Sequence, residues 1–230
     1  MEIEKLFKGQ FLTHPAEIQV KLENIKAYIF DWDGVFNNGI KFDSTSLFNE
    51  VDAMGINMIR FNHYKRKGVM PIMAIITGER NTAAHALAER EHFESTYYKI
   101  KHKSTALEHL CKQHDLTPEE VVFVFDDILD LDVAAKVGIR IMVQRQNCNP
   151  LLIKYALERN LVDYLTANDG NHNAIREGLE LLMGLTGIYN ETLDDRIAYN
   201  DLYREYITTR NNIPSDFYTI DGDTIVARKL

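Results

Sequence analysis

Five short runs rich in β-branched and aromatic residues recur along the chain, at Ala27–Phe30, 70–76, Val121–Phe125, 139–143 and 162–165. Helical patterns separate the later ones, at 81–92, 104–114, 129–137 and 150–159. Apolar runs of this length without polar alternation read as strands buried on both faces. Strand alternating with helix makes an α/β fold, a mainly parallel sheet flanked by helices. In such sheets the ligand crevice lies at the carboxyl ends of the strands. The end of each run is therefore the place to look for chemistry.

Three segments stand outside the alternation. Residues 1–25 carry a helical pattern after Pro15 and read as an N-terminal appendage, with a core at 26–186 and an extension at 187–230. Residues 39–49 read as a hairpin around the turn-forming Asp43-Ser-Thr-Ser46. The extension begins with a Tyr-rich helical pattern and ends in a hairpin at 217–226, centred on Asp-Gly.

Composition excludes several classes. A net charge of −8 argues against a broad nucleic-acid surface. It leaves room for a small anionic substrate, because a bound cation reverses the local field. The longest apolar stretches fall far short of the ~20 residues that cross a bilayer. The N-terminus mixes charges of both signs and has no apolar secretory segment. Two cysteines, Cys111 and Cys148, make no disulfide framework and lack metal-site spacing, as expected of cytoplasmic thiols.

The strand ends are chemically distinctive. Asp31-Trp-Asp-Gly-Val35 follows the first run, and Thr77-Gly78 follows the second. Lys103 opens a helix, and Asp126-Asp-Ile-Leu-Asp130 follows the third run. Two carboxylates at i and i+2 face opposite sides of a strand, but where the strand ends and a glycine permits a turn both reach one pocket. Each element alone has an ordinary reading: a solvated loop, a helix cap, surface charge or an acidic N-terminus. Their order along the chain, each at or just after a strand end, sets them apart.

In that order the chain resembles the haloacid dehalogenase superfamily of phosphohydrolases, matching all four of its motifs over roughly residues 25–183. Asp31-Trp-Asp-Gly-Val35, Gly39, Phe48-Asn49, Asp52 and Gly55-Ile56 make it most similar to small sugar-acid phosphatases. Those act on 3-deoxy-octulosonate 8-phosphate and nonulosonate 9-phosphates. The resemblance implies a Rossmann-like fold with a small β-hairpin flap at 39–49 and no cap domain. The chain between Asp31 and Thr77 already holds the hairpin and a helix, and between Thr77 and Lys103 one helix, leaving little room for a cap. It implies Asp31 as nucleophile and Asp33 as general acid and base, in apolar surroundings from Trp32 and Val35. Thr77 and Lys103 contact the phosphoryl oxygens. Mg²⁺ takes the Asp31 and Asp126 carboxylates and the Asp33 carbonyl, with Asp127 and Asp130 behind them and orienting Lys103. Gly78, Glu79, Arg80 and His172 become substrate contacts.

The departures bear on the substrate. Phe125 replaces a usual glycine and is expected to narrow the space beside the metal. Asn37 and Asn38 stand where Thr and Asp are common, Thr77-Gly-Glu79 replaces Thr-Gly-Arg, and Gly170-Asn-His-Asn173 has lost two glycines.

Competing readings fit less well. A receiver domain carries its acidic pair before the phosphorylated Asp, the reverse of the order here. A Ca²⁺ loop at 126–132 lacks the required glycine. A phosphomutase carries a large cap, and a non-catalytic module would have lost Asp31 or Asp33. The resemblance further implies a homo-oligomer, a tetramer in which neighbours complete the substrate pocket. In the extension Tyr199, Tyr203 and Tyr206 share one helical face, which packs on the chain's own core or closes a neighbour's site.

Overall fold

A computed structural model describes residues 3–145 and 148–228. Its strands are β1 (Gln10–Phe11), β2 (Ala27–Phe30), β3 (Ile72–Ile76), β4 (Ser95–Tyr97), β5 (Val121–Phe125), β6 (Ile139–Met142), β7 (Tyr164–Leu165), β8 (Asp216–Asp221) and β9 (Thr224–Ala227). Its helices are α1 (Ile3–Leu6), α2 (Pro15–Leu22), α3 (Glu50–Lys67), α4 (Thr82–Arg90), α5 (Lys103–His114), α6 (Leu131–Ala134), α7 (Pro150–Glu158), α8 (Ala174–Leu185), α9 (Tyr189–Ala198) and α10 (Asp201–Asn211).

The strands make one sheet in the order β1-β7-β6-β5-β2-β3-β4-β8-β9. From β7 to β8 the neighbours run parallel, and antiparallel pairing is confined to β1 and β9 at the two edges. The chain travels outward from β2 through β3 to β4, then returns to place β5 on the other side of β2. The reversal puts the switch point of the sheet between β2 and β5, where an open α/β sheet has its crevice. Register aligns the three central strand ends: Phe30 sits beside Ile75 on one flank and Val124 on the other.

Side chains alternate along the strands, so the sheet has two apolar faces. Tyr28, Phe30, Met73, Ile75, Val122 and Val124 pack with α3, α8 and α10. Ala27, Ile29, Ala74, Ile76, Phe123 and Phe125 pack with α5, α6 and α7. Burial on both faces explains the near-continuous apolar runs. Helix limits follow from local chemistry. The Asn49 side chain accepts from Val51 N–H at the start of α3, and Gly68, left-handed at φ +70°, ends it.

Several sequence boundaries contract. The second strand begins at Ile72, because Pro71 has no N–H for the ladder. The helix expected over 129–137 divides into a 3₁₀ turn at Ile128–Asp130 followed by α6. The flap at 39–49 forms no extended strands: one bridge joins Phe42 to Thr45 across Asp43 and Ser44, both at positive φ. Two short strands with no third beside them have little to hold them. The segment after Gly187 forms α9 and α10 and then β8 and β9, and β8 pairs with β4 as a further parallel strand of the main sheet. Among the described residues no helix is long and apolar enough to cross a membrane.

Candidate active site

Asp31 follows β2 and is buried, and Asp33 lies two residues on at the rim. Between them and β5 the chain turns at Gly34, whose φ is +97°. A Cβ there would lie 2.0 Å from Asp126 Oδ2, so the turn and the approach of Asp126 both require glycine. Asp126 follows β5, Thr77 follows β3, and both are buried. Lys103, at the first turn of α5, crosses under the crevice with its Nζ 2.6 Å from Asp31 Oδ1 and 2.5 Å from Asp130 Oδ1. The other Asp130 oxygen accepts the backbone N–H of Asp127 at 3.0 Å. A cavity of ≈ 300 Å³ opens above these groups, lined by Asp31, Asp33, Thr77, Lys103, Asp127 and Arg145 among others.

The electrostatics are those of an acid-rich site whose inner carboxylates, Asp31, Asp126 and Asp130, are buried. Ligand atoms of Asp31, Asp126 and Asp130 lie within 4.8 Å of one another. Burial, then the charges of Asp31 and Asp130, holds the Asp126 carboxyl well above the usual carboxylate range. Burial and Asp31 push Asp130 up to about 7. For Lys103 burial opposes the charge, but Asp31 and Asp130 outweigh it and hold the ammonium above its ordinary pKa. Neither Asp126 oxygen accepts a hydrogen bond, although Arg145 Nη1 lies 3.0 Å from Oδ2. Both Asp130 oxygens are engaged, by Lys103 and by backbone N–H. Within the site, then, the buried oxygens without a hydrogen bond are the two of Asp126, close to Asp31 and with the Arg145 cation beside Oδ2. An all-oxygen donor pair of this kind fits a hard divalent cation.

A scan against protein-family models finds no match. The 3-deoxy-D-manno-octulosonate 8-phosphate phosphatase KdsC of Escherichia coli (strain B / BL21-DE3) is 29% identical over 181 residues, 76% of this chain and 88% of its own length. The KdsC of Salmonella typhi is 29% identical over 188 residues, 80% of this chain and 90% of its own. Among solved structures, the Moraxella catarrhalis phosphatase of the same name, in complex with magnesium ion, phosphate ion and KDO, superposes with a TM-score of 0.65 at 25% identity. It covers 79% of this chain and 98% of that one. The cobalt-bound enzyme of Haemophilus influenzae gives 0.61 at 26%, over 74% and 93%. The chain is similar to these phosphatases over about three quarters of its length and shares their fold.

The structure sorts the residues singled out from sequence. Asp31, Asp33, Thr77, Lys103, Asp127 and Asp130 converge on one cavity, with Gly78 and Glu79 on its wall. Arg80 is exposed and does not line it. His172 is exposed on the loop before α8, 2.7 Å from Asp169, and also lies outside that cavity. Phe125 does not narrow the site. Its ring stacks on Phe123 at 5.4 Å on the α5 face of the sheet, the side opposite to Val124. Nor is Asp33 in apolar surroundings: its oxygens meet the Ser46 hydroxyl and the Lys41 ammonium.

Lys41, Ser46 and Arg145 were missed by motif. Arg145 reaches from the end of β6 to Asp126, to Asp127 at 3.4 Å and to the Asn38 carbonyl at 3.2 Å. The carboxyl-end rule that found the aspartates also points at this position.

The single tyrosine face expected of the extension divides: Tyr199 ends α9 at a left-handed φ of +47° and is exposed, while Tyr203 and Tyr206 on α10 turn inward. Tyr203 and Tyr206 are buried on Phe61 of α3 at 4.9 and 5.2 Å, and their hydroxyls donate to the side-chain and backbone oxygens of Asn57. Arg204 and Arg210 pair with Asp201 and Glu91, and Arg196 lies over the Tyr203 ring at 4.8 Å. Among the described residues none after Gly187 lines the cavity above Asp31 of the same chain.

Proposed function

We propose that the chain is a Mg²⁺-dependent phosphatase of a small phosphorylated sugar acid, of the 3-deoxy-octulosonate 8-phosphate or nonulosonate 9-phosphate kind. The observation that carries this reading is the buried Asp31 carboxylate set against Lys103 and the unsatisfied oxygens of Asp126. The named activity of the KdsC relatives supports the substrate class.

Asp31 attacks phosphorus in line with the leaving oxygen, forming an aspartyl-phosphate and splitting one difficult hydrolysis into two steps. Asp33 gives a proton to the departing alkoxide and then takes one from the attacking water. Lys103 and the Thr77 hydroxyl hold the equatorial oxygens, whose charge they oppose. The Asp31 and Asp126 carboxylates and the Asp33 carbonyl would hold Mg²⁺, while Asp130, tied to Lys103, orients that ammonium. Bound there, Mg²⁺ supplies the positive charge that lets an anionic phosphate approach an anionic nucleophile.

The flap exposes Ile40, Phe42 and Leu47, with Phe42 86% exposed. We assign this apolar surface to contacts between copies in a homotetramer, whose neighbours then wall the open crevice. Light scattering giving a fully active monomer at micromolar concentration would overturn that assignment.

The test of function is phosphate release from a panel of phosphorylated sugars and sugar acids, with and without Mg²⁺, using Asp31→Asn as control. Release by the wild type alone, fastest on a sugar-acid phosphate, is the expected result. Equal release by both proteins overturns the proposal. Transfer to a second sugar in place of release to water marks a phosphotransferase.

A further inference from the structure

Ser46 is buried in the flap and stands between three polar groups. Its Oγ accepts from Trp32 Nε1 at 3.1 Å and from Asn81 Nδ2 at 2.7 Å, and lies 2.5 Å from Asp33 Oδ1. A hydroxyl has two lone pairs and one hydrogen. The indole N–H is only a donor, so it fills one lone pair. The Asn81 amide is oriented by α4: its Oδ1 caps the helix, accepting from Ala83 N–H at 3.0 Å and Ala84 N–H at 3.3 Å. The NH₂ end of Asn81 must therefore face Ser46, and it fills the second lone pair. One direction remains for the Ser46 hydrogen, toward Asp33.

The consequence falls on Asp33. An oxygen that accepts from a fixed donor does not itself carry a proton, so Oδ1 is committed as acceptor. Oδ2 meets the Lys41 ammonium at 3.0 Å and, among the described residues, no hydroxyl or amide donor, which leaves it as the oxygen to exchange a proton. We propose that Ser46 is a positioning residue for Asp33, its hydroxyl locked as a donor by Trp32 and Asn81 so that Oδ2 alone faces the leaving group. The inference rests on the phosphatase reading with Asp33 as general acid. It ties the flap, the first strand end and the cap of α4 into one proton-ordering chain.

The test compares kcat/KM for two leaving groups, the alkoxide of a sugar phosphate and p-nitrophenolate, which departs without a proton. Loss of a positioned acid harms the first and spares the second. For Ser46→Ala we expect a loss on the order of 10²-fold on the sugar phosphate and under about 5-fold on p-nitrophenyl phosphate. Ser46→Thr, which keeps the hydroxyl, restores both. Asn81→Asp keeps an oxygen to cap α4 but presents an acceptor to Ser46, turning the hydroxyl away from Asp33. It reproduces the same selective loss, and carries the test should Ser46→Ala fail to fold. Trp32 is the sole tryptophan, so its single indole N–H resonance reports the network without any turnover. It shifts in Ser46→Ala and stays in Ser46→Thr. Equal losses on both substrates, no loss, or an unmoved indole resonance in Ser46→Ala overturns the inference while leaving the phosphatase reading intact. A wild type that releases phosphate from neither substrate overturns the phosphatase reading and this inference with it.

Discussion

Lys103 Nζ stands 2.6 Å from Asp31 Oδ1, and that ammonium is 2% exposed. A cation buried this deeply is held in place by the carboxylates around it, here Asp31 and Asp130, as much as it holds them. The pair joins the start of α5 to the end of β2, so the group expected to oppose phosphate charge is also a tie between layers of the fold.

Removing the ammonium thus costs stability as well as chemistry. Lys103→Met leaves two buried carboxylates without their cation, and we expect a loss of about 3–5 kcal/mol. Urea unfolding measures it. Saturating Mg²⁺ should return part of the loss, since a ligand that binds only the folded state stabilises it. Phosphate release should fall at least ~10²-fold.

Asp31→Asn should remove phosphate release by on the order of 10³-fold or more, because a carboxamide does not attack phosphorus. Removing Mg²⁺ with EDTA should silence the wild type reversibly, with activity returning on adding the ion. Fold retention by circular dichroism separates either loss from unfolding.

Gly34→Ala tests the crevice geometry. Its Cβ would lie 2.0 Å from Asp126 Oδ2 at a φ of +97°, so Asp126 must move. We expect Mg²⁺ affinity, by calorimetry, to fall more than ~10-fold. Gly68→Ala is the control: it shares a positive φ but has nothing within 4 Å. It should cost about 1 kcal/mol of stability and leave Mg²⁺ affinity unchanged.

Asp163 predicts an acid limit. Burial raises its carboxyl, but hydrogen bonds from Arg140, Lys21 and Thr13 outweigh this and hold it at about 2. A carboxyl depressed in the folded state adds stability above its unfolded pKa of about 3.9 and loses it as pH falls toward 2. The contribution at pH 7 is about 2 kcal/mol. Asp163→Asn should therefore be destabilised at pH 7 and approach the wild type near pH 2, as urea titrations at both values would read.

The central strands and the site carboxylates were legible because they obey one rule each: doubly buried strands are apolar throughout, and their ends carry the chemistry. β4 was not, since Ser95-Thr-Tyr97 is short and polar and owes its place to β3 and β8. Phe125 was misread by adjacency. It neighbours Asp126 in sequence, but strand alternation turns its ring onto the α5 face. His172 and Arg80 sit near the right motifs yet point to solvent, a matter of loop conformation that composition does not encode. The inward packing of Tyr203 and Tyr206 depends on the Asn57 acceptors on α3, which no local pattern announces.

The pairing of β8 with β4 bears on how the protein is made. The six parallel strands β2 to β7 are all complete before β8 leaves the ribosome, and until then the outer edge of β4 stands open. An open edge of hydrogen-bonding groups is an invitation to pair with another nascent chain. The late hairpin covers that edge, so a chain cut before Asp216 should aggregate more readily than the whole one.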